Sequence, residues 1–192
     1  ILLKSLYKMP IEEISKKTTL AKANINTFTW TNTVEENIKF YSSLCKKNHT
    51  RHSKIGWLTT WGMKCGIASY SFNFLSNISK KITIFTQTSI QFDVETLHKT
   101  IPCWDIETNS NKSLESLFEK IVSEDITSLV IQFNYGFFNF TEFSKLLEKL
   151  NKHDIQIIIF FHSTQNPNNS DKKLTSIVNS LKLCQRILVH SI

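Results

Sequence analysis

Two glycines four residues apart, Gly62 and Gly66, follow the short apolar run Ile55–Leu58 and precede a segment with helical spacing of apolar residues. A strand that feeds a helix brings unpaired backbone N–H groups and the positive end of the helix dipole to the carboxyl edge of a sheet. Glycine lets an anionic ligand such as a diphosphate approach that backbone closely. The spacing matches neither the dinucleotide-binding nor the Walker A pattern. Taken alone, it is more typical of a tight turn.

A second candidate is His162, which follows the apolar run 157–161 and leads into Ser163 and Thr164. An imidazole at the tip of a buried strand can hold a sugar hydroxyl or orient a carboxylate. The alternative is a histidine that bonds only to its own loop, but the position at a strand end favours a functional role. His190 follows the last apolar run in the same way. Its position at a strand end would also place it in the predicted cleft, although a structural role explains this histidine better.

Three further side chains join the predicted cleft because they leave strand ends. Asn134 and Tyr135 follow another apolar run, and an aromatic ring there can stack on a sugar. Lys64 lies between the two glycines, where it would meet a diphosphate or an anionic acceptor, although most lysines are simply solvated. Cys65 and His162 would form a nucleophilic pair if they met. A small residue in a tight turn explains Cys65 equally well.

Strands and helices alternate from Lys54 onward. Apolar runs rich in isoleucine and valine predict strands, and apolar residues three and four apart predict helices. We expect strands at 55–59, 82–86, 129–133, 155–161 and 187–190, a short one near 101–106, and helices at 67–78, 114–122, 140–150 and 174–183. This alternation predicts an α/β fold, a Rossmann-like doubly wound parallel sheet. Its ligands should lie at the carboxyl ends of the strands, at 59–66, 134–138, 162–165 and His190.

Residues 1–50 are predicted to form a helical appendage, and 51–192 the Rossmann-like domain. Helices are expected at 11–23 and 32–46, with Asn32 and Glu35 at the spacing of a capping box. The chain begins on Ile1 and not on methionine, which suggests a piece of a longer protein.

The chain is basic, with 23 Lys and Arg against 16 Asp and Glu and a net charge of +7. This balance suggests nucleic acid, a membrane surface or a phosphorylated substrate as partner. No RNA-recognition, zinc-finger or helix-turn-helix signature accompanies the charge, so nucleic-acid binding rests on charge alone. The four cysteines are far apart, without the spacing of a metal site. We expect a cytoplasmic protein, since no apolar run resembles a membrane span or a signal peptide.

Four stretches together resemble the N-terminal domain of bacterial family 4 glycosyltransferases. They are 60–70 (TWGMKCGIASY), 130–138 (VIQFNYGFF), 161–164 (FHST) and 189–191 (VHS), in the same order as in that family. The resemblance implies a retaining, two-domain GT-B enzyme that uses a nucleotide sugar and generally needs no metal or other cofactor. It assigns Gly62 and Gly66 to the loop that approaches the donor diphosphate. It assigns His162 to the histidine that contacts the transferred sugar.

The same resemblance places the acceptor in this domain and the donor in a C-terminal domain that the chain lacks, so we expect the fragment alone to be inactive. Residues 27–36 resemble the entry into the last helix of such a C-terminal domain. The chain would then join two tandem transferase modules; otherwise its first 50 residues are a helical extension of one enzyme.

The expected function is sugar transfer in polysaccharide synthesis. The expected partners are a nucleotide-sugar donor, a glycan or lipid-linked acceptor, and the anionic inner face of a membrane, but no nucleic acid. The alternative is a non-catalytic Rossmann-like module that binds nucleotides or partners, with a purely structural glycine turn.

Overall fold

The computed structural model describes residues 10–25, 29–45, 53–106, 113–168 and 172–189. The chain divides into two compact units, Ile1–Lys47 and Asn48–Ile192. The first unit contains helices α1 (Ile11–Ile25) and α2 (Trp30–Cys45). The hydroxyl of Thr29 accepts a hydrogen bond from the backbone N–H of Asn32, in the first turn of α2. The predicted capping box is therefore wrong, because Thr29 and not Asn32 caps the helix.

The second unit alternates strands with helices. Its elements are β1 (Ile55–Leu58), α3 (Gly66–Leu75), β2 (Thr83–Gln87), β3 (Lys99–Trp104), α4 (Ser113–Ser123), β4 (Ser128–Phe133), α5 (Phe140–Lys152), β5 (Gln156–Phe161), a 3₁₀ turn (Leu174–Ile177), α6 (Val178–Leu181) and β6 (Arg186–Val189). The helix predicted at 174–183 is thus split into a 3₁₀ turn and a single α-helical turn. None of the described helices is long and apolar enough to cross a membrane.

The six strands form one sheet in the order β3-β2-β1-β4-β5-β6, and every neighbouring pair is parallel. From the central pair β1 and β4, the chain adds β2 and β3 on one side and β5 and β6 on the other, as in a doubly wound sheet. The predicted Rossmann-like α/β fold is therefore confirmed. A parallel sheet of this kind opens a crevice where the order reverses, at the carboxyl ends of β1 and β4.

On one face of the sheet, β4 and β5 carry only apolar side chains. Alternate residues of β4 and β5 enter the main core on this face, where the inward side of α5 covers them. The Asn139 side chain begins α5 by accepting hydrogen bonds from the backbone N–H groups of Thr141 and Glu142. The core residues of these elements are Leu129, Ile131, Phe133, Phe143, Leu146, Leu147, Leu150, Ile157, Ile159 and Phe161.

The opposite face is covered by α3 and carries polar side chains. The Trp57 ring stacks on Phe74 with centroids 5.0 Å apart, and its indole N–H donates to the Ser71 hydroxyl at 3.2 Å. The Ser71 hydroxyl also bonds to that of Thr59 at 2.7 Å, and both residues are fully buried. Buried polar groups need such partners. The polar residues therefore fix α3 against the carboxyl half of β1.

Candidate functional site

The candidate site lies at the carboxyl edge of the sheet, where β1 and β4 end side by side. Leu58, the last residue of β1, is in register with Ile131 near the end of β4. The chain leaves β1 into loop 59–65 and leaves β4 into the turn that begins at Asn134. The sheet thus brings the glycine loop and the β4 turn to one edge.

The glycine loop is held from β2 by one side chain. The amide of Gln87, which is fully buried, bonds twice to the backbone of Trp61. The Trp61 N–H donates to Gln87 Oε1 at 2.9 Å, and Gln87 Nε2 donates to the Trp61 carbonyl at 2.6 Å. The Thr86 hydroxyl also donates to Gln87 Oε1. This network fixes the backbone just before Gly62.

Gly62 is required by the packing of its own loop. Its φ is +60°, a conformation that side chains other than glycine rarely adopt. Its carbonyl accepts hydrogen bonds from the N–H groups of Gln91 and Phe92. A Cβ at this position would lie 2.5 Å from the Phe92 carbonyl oxygen. The close approach at Gly62 is therefore to the loop around Phe92, and its predicted role toward a diphosphate stays a prediction.

Gly66 differs, because space beside it is open. It is the first residue of α3, and a Cβ there would meet nothing within 4 Å. The preceding Cys65 makes no side-chain capping bond. The first backbone N–H groups of a helix have no partner inside the helix, and they attract anions when no side chain caps them. The start of α3 therefore has the geometry of an anion-binding turn.

The two glycines should respond differently to alanine. We expect Gly62→Ala to lower the free energy of unfolding by about 1–3 kcal/mol, because it adds backbone strain and a clash with Phe92. Gly66→Ala should leave stability unchanged or raise it by up to about 1 kcal/mol, since alanine favours the helix. Urea denaturation of both variants tests this, and equal losses would contradict the assignment.

His162 lies directly after β5, half buried, on the face that α3 covers. Its Nε2 is 2.7 Å from Oε1 of Gln132 on β4, and its backbone N–H donates to the Phe133 carbonyl at 3.4 Å. Its ring meets Tyr70 of α3 edge-on, with centroids 5.1 Å apart. Burial raises the pKa of Tyr70 to about 12, which keeps its hydroxyl neutral. Tyr70 follows Gly66 by about one helical turn, so the ring that His162 contacts belongs to the beginning of α3.

Gln132 is a site residue that the sequence prediction missed. It is fully buried, and its Nε2 has no hydrogen-bond partner among the described residues. The available signal was a polar residue inside the apolar strand 128–133. A buried amide in such a strand needs a partner, and here the partner is His162.

The structure places the other predicted residues as follows. Lys64 is exposed, and its backbone N–H donates to the side chain of Gln91. The Asn134 side chain accepts the Gly136 N–H and so closes its own turn. Tyr135 is not brought to the cleft: it is only 6% exposed, because its ring packs in the apolar core. His190 lies outside the described residues.

Tyr135 is held by neighbours on the core side of the sheet. Its hydroxyl donates to Asn166 Oδ1 at 3.2 Å, and its carbonyl accepts a bond from Lys172 Nζ at 2.6 Å. Burial raises the pKa of Tyr135 and lowers that of Lys172. The ring therefore offers no exposed face on which a sugar would stack.

The arrangement as a whole can hold an anion and a hydroxyl-bearing group side by side. The open start of α3 supplies backbone donors, and His162 supplies an imidazole oriented by Gln132 and Tyr70. No group of three or more His, Cys, Asp or Glu residues within the described ranges is arranged to hold a metal ion.

Comparisons of the chain with models of protein families, with curated proteins and with solved structures gave no match.

Proposed function

We propose that the second unit is the acceptor-side domain of a retaining GT-B glycosyltransferase. It would act at the cytoplasmic face of a membrane in polysaccharide synthesis, moving a sugar from a nucleotide sugar to a glycan or lipid-linked acceptor. The main support is the position of His162. It is half buried at the carboxyl end of β5 and bonded to Gln132 of the neighbouring strand β4. The open helix start at Gly66 lies one turn from the ring that His162 contacts.

These two features suit the charges that develop when a glycosyl phosphate bond breaks. The leaving diphosphate gains negative charge, which the positive end of α3 and its backbone N–H groups would stabilise. The imidazole of His162 would bind a hydroxyl of the transferred sugar and fix its orientation. Gln132 and Tyr70 hold the ring in place before the substrate binds. Such a site acts by positioning and electrostatics, without a covalent intermediate.

A non-catalytic Rossmann-like module is the second candidate, and one observation favours it. Gly62 is explained entirely by the conformation of its loop and by the close Phe92 carbonyl. A purely structural glycine turn is what this alternative predicts. Sugar transfer separates the two candidates, because a non-catalytic module that binds nucleotides can also bind a diphosphate.

A titration of the isotopically labelled 192-residue chain with inorganic pyrophosphate and with UDP-glucose tests the proposed anion site. We expect NMR shifts concentrated at the amides of Gly66, Ile67 and Ala68, with smaller shifts from sodium chloride of equal ionic strength. Shifts spread evenly over the surface lysines would contradict the site.

Sugar transfer is then assayed with UDP-, GDP- and ADP-sugars, using the protein purified at the full length that its native cells produce. Absence of transfer with all of these donors favours the non-catalytic module.

Gln132→Leu tests the role of Gln132 as a positioning residue. We expect transfer to fall by about tenfold to a hundredfold, as when the partner of a functional histidine is lost. The ¹⁵N spectrum of His162 should also lose its preference for the tautomer with the proton on Nε2, which Gln132 Oε1 now favours. Gln132→Glu keeps the acceptor and should preserve that tautomer. An unchanged imidazole spectrum in Gln132→Leu would show that Gln132 does not orient the ring.

A further inference from the structure

A cavity of about 680 Å³ lies beside the glycine loop. Its walls come from the loop at 61–63, the outward side of α3 at 68–73 and the segment 92–95. Small-molecule sites in proteins commonly measure about 300–1,000 Å³. The cavity therefore has the size of a ligand site, and Gly62 is the one residue of its wall that was predicted to approach a diphosphate.

Aromatic rings form much of the cavity wall. Phe72 and Phe92 are 42% and 47% exposed, which is unusual for large apolar side chains grouped around one hollow. The Trp61 ring lies 6.0 Å from that of Phe72. Trp61 is buried, and its indole N–H has no acceptor among the described residues. That N–H is itself closed to solvent, so Phe72 and Phe92 supply the exposed aromatic surface of the wall.

The charge of the cavity is opposite to that of the whole chain. Asp93 and Glu95 are exposed on its rim, and within the described part of the chain neither has a hydrogen bond or an ion pair. No lysine, arginine or histidine of the described residues lines the cavity, although the chain carries a net charge of +7. Two unpaired carboxylates repel a phosphate and attract a cation. The expected anionic acceptor therefore does not suit this cavity.

A protonated amine fits this cavity better than a metal ion does. Hard divalent cations take about six or more oxygen ligands, whereas most of this wall is aromatic and aliphatic. An ammonium group is attracted both by carboxylates and by the faces of aromatic rings. The hydroxyl groups of a sugar would meet the remaining polar side chains of the wall, which are Ser69 and Asn73.

We infer that this cavity binds an amino sugar, with its protonated primary amine at Asp93 and Glu95 and its ring against Trp61, Phe72 and Phe92. The inference rests on the proposed function, since it identifies the acceptor as a glycan with an unacetylated hexosamine. The basic side chains within the described ranges lie outside the cavity wall.

Binding of three sugars of similar shape but different charge tests the inference. D-glucosamine, studied below the pKa of its amine, is compared with N-acetyl-D-glucosamine and with glucose 1-phosphate by NMR titration of the 192-residue chain. We expect glucosamine to bind at least tenfold more tightly than either of the others and to shift the Trp61 indole signal. Equal binding of the three sugars, or tightest binding of the phosphate, would overturn the inference, and so would an indole signal that does not move.

A double variant, Asp93→Asn with Glu95→Gln, tests the carboxylates. It should weaken glucosamine binding at least tenfold. The matched control is Glu119→Gln with Glu148→Gln, which removes two exposed carboxylates from α4 and α5 and should bind as the unchanged chain does. Equal weakening in both variants would mean that overall charge, and not the cavity, attracts the amine.

Failure of this inference is distinguishable from failure of the proposed function. Transfer to acceptors without an amine, together with no glucosamine binding, overturns the amino-sugar site and leaves the transferase proposal standing. Glucosamine binding at Trp61 without transfer from any nucleotide sugar supports the cavity site and overturns its role as an acceptor site.

Discussion

Replacing His162 by alanine should lower kcat for sugar transfer by about 100- to 1,000-fold, the range seen when one preorganised polar group is removed from an active site. The reason is that the half-buried imidazole is oriented by Gln132 at 2.7 Å and by the ring of Tyr70. A group acting mainly on the transition state lowers kcat and kcat/KM together. Initial rates over a range of acceptor concentrations give both constants.

The matched control for this variant is His153→Ala. His153 is an exposed histidine that follows α5, where its Nδ1 bonds to the Lys149 carbonyl at 3.0 Å, away from the carboxyl edge. We expect its transfer rate to be unchanged. His162→Ala leaves the buried Gln132 amide without its partner and should cost about 1–3 kcal/mol of stability, so both proteins are first checked for folding. A folded His162→Ala protein with full activity would remove His162 from the mechanism.

The fold was largely predictable because parallel strands buried on both faces leave a clear trace in sequence. The runs at 129–133 and 155–161 became β4 and β5 within one residue at each end. The uncertain segment near 101–106 became β3, although it carries Lys99 and Pro102 at the edge of the sheet. The strand order depends on contacts between distant segments, which no local pattern specifies. The cap at Thr29 is a local contact, since its partner Asn32 lies in the next turn, and it was open to prediction.

The site was only partly predictable, for a physical reason. The rule that ligands lie at the carboxyl edge selected Gly66 and His162, and both follow strand ends at that edge, since the rule depends only on strand direction. It also selected Tyr135, because position at a strand end does not tell which face of the sheet a side chain enters. Gln132 and the segment 92–95 escaped prediction, since their roles arise from contacts between distant parts of the chain.

The largest effect on stability should come from Phe133→Ala. Phe133 is fully buried at the end of β4, and five aromatic rings surround it with centroids 4.8–6.3 Å away. Removing the ring leaves a cavity that neighbours on strands and helices cannot fill, at a cost of about 3–5 kcal/mol. Typical domains are stable by only about 5–15 kcal/mol. The neighbouring rings are those of Tyr135, Phe138, Phe140, Phe143 and Phe161.

Tryptophan fluorescence in urea measures this loss, because Trp57 and Trp104 are fully buried in the same sheet. Phe92→Ala is the matched control: its ring is 47% exposed, and its truncation should cost less than about 1 kcal/mol. Since the Phe133 carbonyl accepts the His162 N–H, a cavity there also loosens the imidazole. Phe133→Ala should therefore impair transfer even at temperatures where it stays folded. Equal stability of Phe133→Ala and Phe92→Ala would contradict the conclusion that the aromatic cluster is the centre of the core.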